Sequence, residues 1–332
     1  MAASSTTVEN GVATWVARHC LFVPGDRVGV AVSGGSDSVA LLLLLHGFAE
    51  AWGLQLVVAH FDHRWRPESE QEAEFVAGLA RRLGWDFRGG RAEGPARASN
   101  REAEGRRARY AFLHGLLAAG ECNRAATGHT ADDQAETVLL RVLRGAGSAG
   151  LAGIMPRRDG GRIVRPLLGV RREALRGWLR ARGQRWCDDP SNQDLERRRN
   201  LLRQRYLPEL AEAFNPGLTE RLGTLAEVAQ AEEGFWAEYV APLMARIFEP
   251  AGRGMRAERA ALQALPLGVR RRVLREAVRR AKGDLQGVDF HSIEVVVGWL
   301  GGVERHPRRC RVGGVECRVT ARHFEVAVHS GL

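Results

Sequence analysis

The string Ser33-Gly34-Gly35-Ser36-Asp37-Ser38 lies directly between a β-branched apolar run at 28–32 and an apolar stretch of helical character. A turn in that place offers free backbone N–H groups and the positive end of a helix dipole, and glycines let the backbone come close to oxygen atoms. The chemistry it suits is phosphate binding, with Ser33, Ser36 and Ser38 as hydroxyl donors. It is not a Walker-type loop, which needs a lysine after its last glycine, because the chain's single lysine is Lys282. The plain alternative is a glycine-rich turn that only begins a helix.

Two further strings carry ionisable groups. His60-Phe61-Asp62-His63 ends a second apolar run, 55–61. In an open α/β sheet, ligands sit beyond the carboxyl ends of the strands, which places His60 and Asp62 near a nucleotide. Metal ligation and an ordinary polar loop are the other readings. Gly128-His129-Thr130-Ala131-Asp132-Asp133-Gln134-Ala135-Glu136-Thr137 follows another short apolar run. Spacings of four and three would stack His129, Asp133 and Glu136 on one helix face, which is costly unless a cation faces them. Acids that favour the helix dipole and stay in solvent are the alternative. Arg199 and Arg203, four apart, could clamp a phosphate; a solvated arginine face is the bland reading.

The elements that must position these groups follow from periodicity. The run at 28–32, the glycine turn, the stretch from 38 and the run at 55–61 make a βαβ unit, which implies a parallel sheet. Helices are expected at 68–83, 100–119 and 131–144 with a strand at 124–127, so the first domain, 1–214, should be an α/β, doubly wound, mainly parallel sheet. Loops at 145–161 and 187–200 are candidate working loops. After Asn215-Pro216-Gly217 the texture changes to long helical periodicity. Residues 215–332 are therefore read as a smaller, mainly helical C-terminal domain, with helices at 218–248, 257–281 and 289–300 and a hairpin around Gly313-Gly314.

Bulk properties narrow the class. A chain of 332 residues with 45% hydrophobic and 27% charged content is of ordinary globular composition. Its net charge of +10 favours a polyanionic partner, although arginine excess alone proves none. Five scattered cysteines (Cys20, Cys122, Cys187, Cys310, Cys317) show no paired or metal-finger spacing. The N-terminal stretch lacks a secretory pattern and the leucine run at 41–45 is too short to span a bilayer, so a cytoplasmic protein without a membrane partner is expected.

These strings together resemble the tRNA(Ile)-lysidine synthetase family of PP-loop enzymes. SGGSDS matches the PP-loop signature. GHTADDQAET followed by LLRVLRGAGSAGLAG matches the family almost letter for letter. The resemblance continues through H-F-D-H with R-P-E-S at 66–69, EGRRARYAFL at 104–113, RPLL at 165–168, WCDDPSN at 186–192 and RNLLR at 199–203. It implies the PP-loop (HUP-like) adenine-nucleotide hydrolase fold and ATP and magnesium as cofactors. ATP would be split between its α and β phosphates in the cradle of Ser33, Gly34, Gly35, Ser36, Asp37 and Ser38. Asp37 would bind magnesium, His60 and Asp62 would border the adenosine, and Arg109 would lie near the phosphates.

The implied partners are L-lysine and the isoleucine tRNA with anticodon CAU, and a homodimer stays open. The wobble cytidine's carbonyl oxygen would attack the α-phosphorus, and lysine's ε-amine would then attack carbon 2 and expel AMP. Asp133 and Glu136 are the expected holders of lysine, His129 the residue that orders the activated base, and Arg199 and Arg203 the contacts to the tRNA backbone. Trp65 and Trp186 could support the unstacked base. The competing readings are a PP-loop 2-thiocytidine synthetase, an amidotransferase ligase, and an inactive RNA-binding module.

Overall fold

The computed structural model describes residues 2–64, 69–92, 101–187, 198–302 and 306–328. Trp65, the R-P-E part of R-P-E-S and the stretch Asp188–Asn192 singled out above lie outside them. The chain divides into two compact units, Met1–Val228 and Ala229–Leu332. The expected boundary at 214/215 falls in the turn before the helix Leu218–Ile247, whereas the units divide inside that helix.

The first unit contains helix α1 (Ala2–Arg18), strand β1 (Arg27–Ala31), α2 (Ser36–Phe48), β2 (Gln55–Asp62), α3 (Ser69–Leu83), β3 (Asp86–Arg91), α4 (Arg101–Ala118), β4 (Arg124–Ala126), α5 (Ala131–Leu143), α6 (Ser148–Leu151), β5 (Arg157–Arg158), β6 (Ile163–Val164), α7 (Arg172–Ala181), α8 (Arg198–Leu201), α9 (Leu207–Ala213) and the start of α10 (Leu218–Ile247). A single π-helical turn, Leu202–Tyr206, joins α8 to α9. The sheet order is β3-β2-β1-β4-β6-β5, parallel except for β5. From β1 the chain steps to β2 on one side and later to β4 on the other, so the crevice beyond the carboxyl ends of β1 and β4 is the switch point where such sheets take ligands.

β1 and β2 are buried through Val28, Val30 and Leu56 to Ala59, as strands covered on both faces must be. α2 carries Leu41, Leu42, Leu44 and Leu45 into the same core, where α7 packs against it with Leu175, Trp178 and Leu179. At roughly 1.5–3 kcal/mol for each such side chain withdrawn from water, this packing fixes α2, and with it the loop that α2 begins. β3, which sequence periodicity did not show, is an edge strand of sequence DFRGGR with no apolar alternation. Its Gly90 is required by close packing: a Cβ there would lie 2.6 Å from the Phe112 ring and 2.9 Å from Phe61.

The second unit holds the rest of α10, β7 (Phe248–Ala251), β8 (Gly254–Glu258), α11 (Arg259–Gln263), α12 (Leu267–Lys282), α13 (Phe290–Gly301), β9 (Arg308–Val312), β10 (Val315–Val319) and β11 (His323–Val328). Its antiparallel sheet, β7-β8-β11-β10-β9, shares one core with the helices through Phe324, Val326, Leu274 and Ile293. The unit is mainly helical, as expected, and adds a five-stranded antiparallel sheet of which only the hairpin at Gly313-Gly314 was legible, because β7 and β8 are short and carry or flank Pro250, Gly252 and Gly254. The helix expected at 257–281 is broken where Pro266 starts α12.

Candidate active site

The phosphate-type turn has the geometry its glycines allow. Gly34 has φ of +95°, a left-handed conformation that favours glycine. Gly35 sits at the N-cap of α2, where no side chain caps the helix. The end of the helix dipole therefore faces the cavity beyond the sheet. The hydroxyls brace the turn: Ser38 Oγ accepts the Ser33 N–H at 3.1 Å, donates to the Gly35 carbonyl at 2.9 Å and lies 3.2 Å from Ser33 Oγ. Cys187 donates its backbone N–H to the Gly34 carbonyl at 2.9 Å.

Gly128, opening the loop after β4, passes against α2. A Cβ there would lie 3.2 Å from the carbonyl carbon and oxygen of Asp37. Gly128→Val is accordingly expected to lower stability by about 1–3 kcal/mol through overpacking and to weaken nucleotide binding, read by thermal unfolding and titration with ATP. Unchanged values in both would show that the close approach of Gly128 to Asp37 matters to neither.

His60 is buried and places Nδ1 2.8 Å from the Val32 carbonyl, while its Nε2 has no partner among the described residues. The adjacent carbonyl requires a proton on Nδ1, and burial lowers the pKa of the ring. Nε2 is therefore an acceptor for a ligand N–H or O–H. Asp62 accepts the Arg64 N–H at 2.7 Å and Arg91 Nε at 3.2 Å. These partners hold the turn at Arg64, whose φ is +53°. No cluster of three or more metal-ligating side chains occurs among the described residues.

The acidic string begins α5 with a reciprocal cap. Thr130 is the N-cap, its Oγ accepting the Asp133 N–H at 3.5 Å, and Asp133 Oδ2 accepts the Thr130 N–H and hydroxyl, each at 2.9 Å. His129 precedes this helix; it does not share a helical face with Asp133 and Glu136, because the capping residue after it is extended. Its Nδ1 lies 2.9 Å from Thr127 Oγ, and burial pushes the ring down to about 3 against the pull of Asp133, so it is neutral at physiological pH.

The cation that the acids need is present. Asp133 Oδ1 accepts Nη2 of Arg172 and of Arg199, each at 3.0 Å, and lies 3.4 Å from Arg203 Nη2. Glu136, with no solvent exposure, accepts Arg199 Nε at 2.7 Å and Arg203 Nε at 2.5 Å, with Arg172 Nη1 at 3.6 Å. Arg172 also donates Nε to Asp37 Oδ2 at 2.7 Å. Burial alone would raise Asp133, but Arg172 and Arg199 hold it well below the ordinary carboxylate range. Burial leaves Asp37 raised despite Arg172.

Arg199 and Arg203, expected on the tRNA backbone, thus lie on the carboxylates expected to hold lysine. Arg172 was missed, together with Arg176, whose Nε lies 3.4 Å from Ser36 Oγ. The same four-residue spacing that drew attention to Arg199 and Arg203 exists at 172 and 176.

A cavity of about 1080 Å³ joins these parts, lined by the glycine turn, His60, Asp62, His129, Asp133, Arg109, Arg172, Arg199 and Arg203. Arg109 enters from α4, whose Tyr110 lies 3.3 Å from buried Arg165. Trp186 packs against the core of the sheet. An uncapped helix start, a left-handed glycine and a buried orphan acceptor suit a nucleotide. Asp37 as one carboxylate beside the phosphate position suits magnesium, which typically takes one or two carboxylates, phosphate oxygens and water.

Fold and site define a PP-loop domain, and the family model of that domain matches residues 5–210. Within that class the chain belongs to the tRNA(Ile)-lysidine synthase family. It is 46% identical over 306 residues to the tRNA(Ile)-lysidine synthase of Solibacter usitatus, covering 92% of this chain and 67% of that one. The enzyme of the same name from Gloeobacter violaceus is 38% identical with 86% of each chain covered. That of Thermus thermophilus is 45% identical, covering 77% of this chain and 49% of its own length. The chain thus matches between about half and most of these relatives. The U34-tRNA thiolase of Methanococcus maripaludis, solved with its iron–sulfur cluster, superposes with a TM-score of 0.57 at 14% identity, covering 69% of this chain and 80% of that one. That likeness is one of fold alone. Among the described residues no helix is long and apolar enough to cross a membrane.

Proposed function

We propose that this chain ligates L-lysine to carbon 2 of the wobble cytidine of the isoleucine tRNA with anticodon CAU, consuming ATP and releasing AMP and pyrophosphate in the cytoplasm. The observation that carries this reading is the joining, in one cavity, of an uncapped glycine turn at the sheet's switch point with a cluster of carboxylates and guanidiniums. The turn suits the polyphosphate, and the cluster suits an amino acid, which brings both an ammonium and a carboxylate. The names of the relatives supply the isoleucine tRNA and lysidine as the product; the cytidine and its anticodon belong to the proposal.

The chain's groups divide the work. The backbone of Gly34 to Ser38 and the α2 dipole hold the phosphates, with Arg109 and Arg176 as further cations. Bound magnesium would neutralise the pyrophosphate as it leaves, held by Asp37. Neutral His129 can hydrogen-bond to the base without adding charge. Lysine's ε-amine, normally protonated with a pKa near 10.4, must lose a proton to water before it attacks carbon 2; Asp133 and Glu136 hold the ammonium until it does. AMP leaves from carbon 2 as the new carbon–nitrogen bond forms.

The second unit is read as the accessory tRNA-binding part. Arg309 and Arg318 lie directly opposite on β9 and β10, both exposed; Arg318 also pairs with Glu325 of β11 at 3.7 Å, and the two guanidiniums together offer an anion such as a phosphate a place to bind. The test of the whole reading is pyrophosphate release from ATP with the purified chain, magnesium and the isoleucine transcript: release that needs the tRNA supports it, and release equal without tRNA refutes it.

A further inference from the structure

Arg172 joins the two halves of the cavity. It is the first residue of α7, and Asp132 of α5 fixes its start by accepting the Arg172 N–H at 2.7 Å. Its side chain is only 13% exposed and its guanidinium makes three ion pairs: Nε to Asp37 Oδ2 at 2.7 Å, Nη2 to Asp133 Oδ1 at 3.0 Å and Nη1 to Glu136 Oε1 at 3.6 Å. One planar group therefore holds the carboxylate beside the phosphate turn and both carboxylates of α5. Arg199 and Arg203 complete the cluster from the other side, bound to Asp133 and Glu136. Three carboxylates face three guanidiniums, so the cluster is neutral as it stands.

We propose that Arg172 is a positioning residue that makes nucleotide binding and amine binding cooperative, by standing in for the amine until the nucleotide arrives. An ammonium entering the ligand-free site would add a positive charge to a neutral, largely buried cluster, which is costly. Magnesium–ATP carries net negative charge, and its phosphates at the α2 N-terminus would lie beside Arg172 Nε while the metal takes Asp37. The guanidinium then turns toward phosphate. Asp133 and Glu136 each lose one cation neighbour, and an ammonium restores the balance. Because the coupling is one of equilibrium affinities, it acts equally in both directions: the amine must tighten the nucleotide by the same factor. The inference rests on the reading of Asp133 and Glu136 as holders of lysine.

The test is calorimetric titration of L-lysine into the full chain, with and without magnesium and the non-cleavable α,β-methylene analogue of ATP, for the wild type and Arg172→Gln. In the wild type the analogue should tighten lysine about tenfold, within the usual range of such couplings. In R172Q the carboxylates lack one cation whether or not nucleotide is bound. Nucleotide-free R172Q should therefore bind lysine about tenfold more tightly than nucleotide-free wild type, with a coupling factor near one. A gain of affinity is a result that mere damage to the fold does not give. Arg172→Lys, which keeps the charge and loses the fork, should show coupling of intermediate size. Lysine binding in all titrations with the same analogue effect in wild type and R172Q would overturn the role of Arg172 and leave the lysine reading standing. No lysine binding in any of them would overturn the lysine reading, and this inference with it.

Discussion

Glu136→Gln is expected to lower the unfolding free energy of the first unit by about 3–5 kcal/mol, the usual loss when one partner of a buried ion pair is removed. Glu136 is wholly buried, and its two oxygens face Arg199, Arg203 and Arg172. The amide keeps the shape but leaves guanidiniums withdrawn from water with less charge to face. For a unit of this size the loss corresponds to a fall in melting temperature of roughly 10 °C. The variant paired with Arg203→Met should recover part of it, because the second change removes a stranded cation; a double-mutant cycle measures that coupling. A melting temperature within about 1 °C of wild type would show that the cluster carries no structural load.

The pH dependence has a definite sign. Asp133 is held below its ordinary value of 3.8 by the arginines. The stability it contributes is therefore complete above that value and is lost as pH falls through the lower folded value. The acid limb of wild-type unfolding should be steeper than that of Asp133→Asn.

Asp37→Asn is expected to act in the opposite way on stability and more strongly on chemistry. Burial raises the Asp37 carboxyl, and Arg172 only partly offsets this. A raised folded value means that the fold penalises the ionised form. Stability contributed by this group falls as pH rises through its ordinary value of 3.8 toward the folded one. The asparagine variant, neutral at every pH, should therefore be as stable as wild type at pH 7, or slightly more so. Pyrophosphate release should nonetheless fall by on the order of 100-fold or more, the scale on which a single charge-stabilising group acts in such sites. The loss should persist at raised magnesium. Full activity in Asp37→Asn would remove the metal and phosphate role; a large fall in stability would show that its pairing with Arg172 is chiefly structural.

What the sequence revealed and hid follows physical lines. The βαβ unit was legible because β1, α2 and β2 are long and strongly apolar. The phosphate turn was legible because only glycine tolerates the conformation of Gly34. β3 and β7 were not, since edge strands need no buried alternation and theirs contain glycine or proline. The carboxylates of α5 were recognised as needing a cation, but its source was placed outside the protein. Helical spacing tells which groups share a face, whereas the partner of that face comes from contacts more than sixty residues away at Arg199 and Arg203. His129 was placed on the helix because spacing alone does not show that Thr130 is extended and caps it.

The central claim is that lysine becomes joined to tRNA in this cavity. The direct measurement incubates the full chain with magnesium, ATP and radiolabelled L-lysine, using either the CAU-anticodon isoleucine transcript or the methionine transcript. Label on the isoleucine transcript alone, absent with Asp37→Asn, is the predicted result. Label on neither transcript, or equally on both, would contradict it.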